Sequence, residues 1–98
     1  MNTYLRIAAS QFPVSQDMRN NFKWIKKQIV SAAKNAVEVI HFPETALPGY
    51  LSFTEGYPSA FDWEILAALT NAVCDLALSY NIWVVLGSIR SQKNLLPK

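Results

Sequence analysis

One carboxylate in this 98-residue chain stands where it could act as a general base. Glu44 follows the apolar run 37–42 and comes directly after Pro43, whose ring fixes the backbone at that point. A general base must be held within hydrogen-bond reach of the proton that it removes, and a rigid support serves this need. Because most loop glutamates are simply solvated, the spacing alone favours a solvated side chain over a base.

The single cysteine and the single histidine give weaker signals. Cys74 is the single thiol, and its place inside a predicted helix is typical of a small core residue rather than of an activated nucleophile. His41 is the single histidine, and such a strand residue is usually satisfied by backbone groups or solvent. One cysteine and one histidine offer no spacing that predicts a metal site.

Aromatic residues crowd the segment after Glu44, which is rich in proline and glycine and is therefore predicted to be a loop. These aromatic residues are Tyr50, Phe53, Tyr57, Phe61 and Trp63. They could form the wall of a pocket beside the carboxylate or anchor a long loop, and the sequence leaves both interpretations open. Tyr50, Phe53 and Tyr57 are the candidate pocket residues.

The elements that must position these residues alternate between strands and helices. Hydrophobic periodicity predicts strands at 4–12, 37–42 and 82–90 and helices at 18–35 and 62–80. Asp17 is expected to cap the first helix, Asn35 to end it in the left-handed conformation, and Asn81 to end the second. The order β-α-β-α-β predicts an α/β fold with parallel strands joined by right-handed crossovers.

Composition argues against several classes of partner. Hydrophobic residues make up 51% of the chain and charged residues 16%, which suits a piece of a larger unit better than a self-contained domain. The net charge of +2 is too small to indicate nucleic acid. A single cysteine fits a reducing cytoplasm, and no apolar run is long enough to cross a bilayer. We therefore expect a cytoplasmic protein with no nucleic-acid partner and no membrane partner.

Several short motifs occur in a fixed order along the chain. They are a first strand ending in Gln11, Asp17 with Asn21, Phe42-Pro43-Glu44, Gly49-Tyr50, and an apolar strand ending in Gly87-Ser88. This ordered set resembles the N-terminal part of the nitrilase superfamily of carbon–nitrogen hydrolases. Ala36, where the family usually has glycine, is a mild departure.

The resemblance implies a fold and a reaction. Members form an α-β-β-α sandwich that usually assembles into oligomers, and residues 1–98 would be its N-terminal β-α-β-α-β part. Catalysis in the family uses Glu, Lys and Cys on a small amide or nitrile, without a metal or organic cofactor. Glu44 falls on the glutamate that acts as general base. The lysine and the cysteine belong to later segments of the family, so the 98-residue chain alone is expected to be inactive.

Two alternatives remain beside a hydrolase fragment. The chain could be a non-catalytic binding or assembly module that pairs with itself or with a longer homologue, because its third predicted strand presents an unpaired edge. It could also be a small flavodoxin-like domain with a ligand at the strand ends, although that fold generally has five strands and only three are predicted.

Overall fold

The computed structural model describes residues 4–49 and 61–87, in which strands and helices alternate. In chain order the elements are β1 (Ile7–Ala9), α1 (Met18–Lys34), β2 (Val39–His41), α2 (Trp63–Tyr80) and β3 (Trp83–Val85). The strands form a parallel sheet in the order β1-β2-β3, with Ile7 opposite Val39 and Val39 opposite Trp83. The predicted element order, the parallel strands and the α/β class are confirmed.

Each paired segment is shorter than the strand predicted for it, with three residues per strand. Part of the third predicted strand, 88–90, lies outside the described residues. At β2 the reason is local. The amide of Val37 still donates to the Ala32 carbonyl at the end of α1 (3.0 Å), and Pro43 has no amide hydrogen with which to continue the ladder.

Helix α1 begins where the sequence predicts and ends differently. The Asp17 carboxylate accepts hydrogen bonds from the backbone amides of Arg19 and Asn20 at 3.0 and 3.2 Å, which confirms it as the N-cap. The left-handed conformation predicted for Asn35 is wrong, since its φ is −101° and Ala36 instead has a φ of 59°. The Asn35 amide group donates to a carbonyl four residues earlier at 2.8 Å, and the left-handed turn falls on the next residue.

Helix α2 has the end that the sequence predicts. The Asp62 carboxylate accepts from the Ile65 amide at 3.0 Å at its start. Asn81 has φ 51° and ψ 52° and so ends the helix in the left-handed region, which asparagine tolerates better than most residues. The Ile82 amide then donates back to the Ala77 carbonyl at 3.0 Å and directs the chain into β3.

Both helices cover the same face of the sheet. The buried residues of both helices belong to one core with Ile40 of β2. Right-handed crossovers between strands that advance in one direction would give this arrangement. The buried core consists of Ile25, Ile29, Ala32, Ile40, Phe42, Ala46, Leu47, Leu66, Val73 and Ile82. On the opposite side of the sheet, which we call the open face, the strands present Ile7, Ala9, Val39, His41, Trp83 and Val85. Ile7 is 64% exposed and Trp83 77% exposed, so no described residue covers this face.

The outer sides of the two helices differ in polarity. In α1 the lysines are exposed, as the periodicity predicts; they are Lys23, Lys26, Lys27 and Lys34. In α2 the outer side includes Leu78, which is 82% exposed. Neither of these helices, in the part of the chain that is described, is long and apolar enough to span a membrane.

Candidate active site

Glu44 lies at the carboxyl edge of the sheet, where the chain leaves the central strand β2. Its side chain is exposed, whereas Phe42, two residues earlier, is buried. The chain leaving β3 passes close by, because a Cβ placed on Gly87 would lie 4.0 Å from the Glu44 Cα. The structure thus places the carboxylate at the ends of parallel strands, the region where α/β proteins gather their functional groups.

The turn that carries Glu44 is strained and internally hydrogen-bonded. Thr45 has a φ of 50°, which is rare for a β-branched residue, and its hydroxyl donates to the Glu44 carbonyl at 2.8 Å. The Ala46 amide donates to the Pro43 carbonyl (3.1 Å) and the Gly49 amide to the Thr45 carbonyl (2.8 Å). These bonds fix the backbone on both sides of the carboxylate, and strain of this kind clusters at functional sites.

Aromatic packing supports the strand end beneath Glu44. The ring of Phe42 meets Phe12 edge to face, with 6.4 Å between centroids, and Phe12 stacks on Trp24 at 6.1 Å. The Lys27 ammonium lies 5.5 Å from the Trp24 ring centroid on the outer side. The residue before Pro43 is therefore held by packing as well as by the proline, which gives the carboxylate a rigid support.

A buried amide joins the two loops at this edge. Asn21 is fully buried, and its Oδ1 accepts from the Ser15 amide at 2.8 Å and from the Ser15 hydroxyl at 3.3 Å. Its Nδ2 donates to the carbonyls of Ser15 (2.7 Å) and Leu47 (3.0 Å). From the sequence, Asn21 is identified only as part of a motif. The sequence does contain a signal for its role. Asn21 lies four residues before Ile25, on the apolar side of α1, where a polar side chain needs buried hydrogen-bond partners.

Cys74 is not the core residue that the sequence predicts. Its thiol is exposed. The buried positions of α2 include Leu66 and Val73, and Cys74 comes directly after Val73, so its side chain points about 100° away from the buried side. Cys74 borders a groove of 390 Å³ that also includes Leu78 and Trp83. This groove lies at the amino end of β3, so the thiol and Glu44 are at opposite edges of the sheet.

His41 lies on the open face of β2, with Ala9 and Val85 as its neighbours in the sheet. Its side chain is exposed, in agreement with a solvated histidine. Within residues 4–49 and 61–87, no three side chains of histidine, cysteine, aspartate or glutamate come together as a metal site.

The predicted pocket residues Tyr50, Phe53 and Tyr57 lie outside the described residues, so their role stays a prediction. Two other aromatic residues of this segment are described. Phe61 and Trp63 meet edge to face with 4.7 Å between ring centroids, on either side of the residue that caps α2. These two rings pack on each other at the start of the helix, which fits the anchoring interpretation.

Comparison with known protein families gives a match over nearly the whole chain. A sequence model described as carbon-nitrogen hydrolase matches residues 6–96. The matched range contains all the described elements together with Asn21 and Glu44. Comparisons with curated proteins and with solved structures give no match.

Proposed function

The chain belongs to the carbon–nitrogen hydrolase family, and we propose that it serves the thiol-mediated hydrolysis of a small amide or nitrile, with Glu44 as general base. The observation that carries this proposal is the exposure of Glu44 on a hydrogen-bonded turn at the carboxyl edge of the sheet. A base on such a support can be held in one geometry relative to an incoming thiol.

In the proposed reaction, Glu44 removes the proton of the attacking thiol. A thiol is only weakly ionised at neutral pH, so Glu44 takes its proton while the sulfur attacks the amide or nitrile carbon. A lysine cation stabilises the charge that develops in the intermediate. With an amide, the intermediate expels ammonia or an amine, which takes up the proton held by Glu44; with a nitrile, water first adds to the thioimidate and ammonia then leaves. Water finally cleaves the thioester, which releases the acid and the free thiol. Neither a metal nor an organic cofactor takes part.

The cysteine and the lysine come from later segments of the family. Cys74 lies at the other edge of the sheet, and Lys93 and Lys98 stand too early in the family order to be the catalytic lysine. On this proposal, the later segments of the family add a second sheet over the open face and so form the α-β-β-α sandwich. Tyr50, Phe53 and Tyr57 are the proposed residues of the substrate pocket. We further propose that the hydrolase assembles as a homo-oligomer.

The experiment that tests Glu44 compares two isosteric substitutions in the protein as its native host makes it. Glu44→Gln removes the base and is expected to lower kcat about 10²- to 10⁴-fold, the usual contribution of general base catalysis. Glu64→Gln changes an exposed glutamate in the first turn of α2 and is expected to leave kcat unchanged. If Glu44→Gln keeps nearly full kcat, Glu44 is not the base.

The 98-residue chain alone provides a second check, because it contains the proposed base without the nucleophile and the cation. We expect it to hydrolyse neither amides nor nitriles. The assay uses purified chain, with the Glu44→Gln variant prepared in parallel to reveal contaminating host enzymes. Turnover that survives purification and disappears in this variant would contradict the proposed division of the catalytic residues.

A second candidate function is a non-catalytic assembly module, and the exposed apolar residues of the open face favour it. In the 98-residue chain a second copy of the same sheet would bury these side chains. Light scattering on the purified chain decides this point, since a strict monomer at high concentration contradicts self-assembly.

A further inference from the structure

The side chain of Asn21 has every hydrogen-bonding position filled, although it is fully buried. An amide group offers two acceptor positions and two donor hydrogens. Here the oxygen accepts two bonds from Ser15, and the nitrogen donates one bond to Ser15 and one to Leu47. An apolar residue on the same helical face could fill the space, but it could not link the two backbone segments.

The two segments that Asn21 links are the loop after β1 and the turn after β2. They also touch directly, because Gly49 has a φ of 91° and a Cβ at this position would lie 2.5 Å from the Ser15 carbonyl oxygen. Only glycine permits so close an approach in this conformation. The Asn21 amide and the Gly49 contact therefore form one junction, which we call the Asn21 clamp and which comprises Ser15, Asn21, Leu47 and Gly49.

The turn between Pro43 and Gly49 is held at both of its ends. At its start, Pro43 follows the buried end of β2, and the Ala46 amide donates to the Pro43 carbonyl at 3.1 Å. At its end, the Leu47 carbonyl accepts the Asn21 amide, and the Gly49 amide closes the turn on Thr45. Glu44 lies between these two attachments, so the direction of its carboxylate depends on both.

We propose that Asn21 is a positioning residue for Glu44, acting through the Leu47 carbonyl and not by contact with the reacting atoms. This proposal rests on the proposed role of Glu44 as the base. Its structural part concerns only the 98-residue chain and can be tested separately from catalysis. Its catalytic part predicts that loss of Asn21 matters only while the Glu44 carboxylate is present.

The structural part is tested by amide hydrogen exchange in the 98-residue chain, with Asn21→Ala as the variant and Asn20→Ala as its exposed neighbour and control. In Asn21→Ala, we expect the Ala46 and Gly49 amides to exchange about tenfold faster relative to amides in the middle of α2. Asn20→Ala should leave this ratio within about twofold of the wild type. Equal acceleration of all amides, or no change at Ala46 and Gly49, would overturn the clamp.

The wild-type chain supplies a measurement that remains usable if Asn21→Ala fails to fold. The two Nδ2 hydrogens of Asn21 should exchange far more slowly than those of the exposed Asn20, because both are bonded to buried or half-buried carbonyls. Equally fast exchange of the two side-chain amides would contradict the clamp.

The catalytic part is tested by a double-mutant cycle in the protein that the native host makes. Asn21→Ala alone is expected to lower kcat about 10²-fold, the scale of a 1 Å misplacement, with a smaller change in KM. In the Glu44→Gln background it should lower kcat by less than about twofold, because no base is left to misplace. Equal losses in both backgrounds would show a merely structural role. If Glu44→Gln alone has no effect, the proposed function fails, while hydrogen exchange still decides the clamp.

Discussion

At the residue scale, Ala36 occupies a position for which alanine is poorly suited. The Ala36 amide donates to the Ala33 carbonyl at 3.2 Å, and the Val37 amide donates to the Ala32 carbonyl at 3.0 Å. This pair of hydrogen bonds is typical of a helix end that usually contains glycine. The φ of 59° brings the alanine Cβ close to the following carbonyl. Substitution Ala36→Gly removes this clash and is expected to raise the free energy of unfolding by about 1 kcal/mol, after allowance for the greater freedom of glycine in the unfolded chain.

Urea denaturation of the 98-residue chain measures this change, and Ala68→Gly is the control. Ala68 is an exposed residue within α2, where the same substitution should lower the free energy of unfolding by about 1 kcal/mol. The same substitution of alanine by glycine is thus expected to raise the free energy of unfolding at residue 36 and to lower it at residue 68. If Ala36→Gly also destabilises the chain, the left-handed conformation at residue 36 is wrong.

Local signals predict the residues whose roles depend on neighbours in sequence. Asp17 and Asn81 are correctly predicted because capping is decided within a few residues. The left-handed position predicted for Asn35 is wrong by one residue. The Asn35 side chain donates to the Ser31 carbonyl, and Ala36 takes the left-handed conformation. The role of Asn21 is not predictable from such signals, because one of its partners, Leu47, is 26 residues away and becomes adjacent only in the folded chain.

At the scale of elements, the order of strands and helices is predictable, while the burial of their faces is only partly so. The periodicity of α1 identifies its buried side because lysines alternate with apolar residues. Helix α2 is apolar on most of its circumference, so the pattern cannot tell which side meets the sheet, and Cys74 is wrongly predicted to be in the core. The open face is also difficult to predict. Its apolar strand residues would be expected to be buried, but no described residue covers them.

The open face leads to a prediction about self-association of the 98-residue chain. Trp83 is 77% exposed on β3 and is the largest apolar side chain of this face. Burial of a side chain of this size between two copies is worth a few kcal/mol, so Trp83→Thr should weaken a dimer about tenfold or more. Light scattering over a concentration series measures the effect.

Leu78→Thr is the matched control for Trp83→Thr. Leu78 is 82% exposed but lies on α2, which packs on the other face of the sheet. Leu78 borders the same groove as Trp83 from the side of the helix, so its substitution removes nearby exposed apolar surface but leaves the strand side chains of the open face in place. It should leave the dimer constant within about threefold. Equal effects of the two substitutions would mean that association is not specific to the open face.

At the scale of the whole molecule, the described residues form one layer of helices and one sheet with an uncovered side. A proposed catalytic base stands at the edge of this sheet without a described nucleophile beside it. Both features have the same explanation if the family's remaining segments pack on the open face and bring the cysteine and lysine to the carboxyl edge. Burial of the open face and completion of the active site would then be one event in folding, because the same segments provide both.

The mass of the protein made by the native host tests this explanation directly. We expect a species of about two to three times the 11.0 kDa of the 98 residues, a size that accommodates a second sheet and its helices. Its additional sequence should contain a cysteine and a lysine that follow β3, and replacing that cysteine by serine should abolish hydrolysis while leaving the protein folded. A host product of 11.0 kDa would contradict the hydrolase proposal for this chain. The open face would then have to be covered by another protein molecule, because in water an exposed apolar sheet favours association.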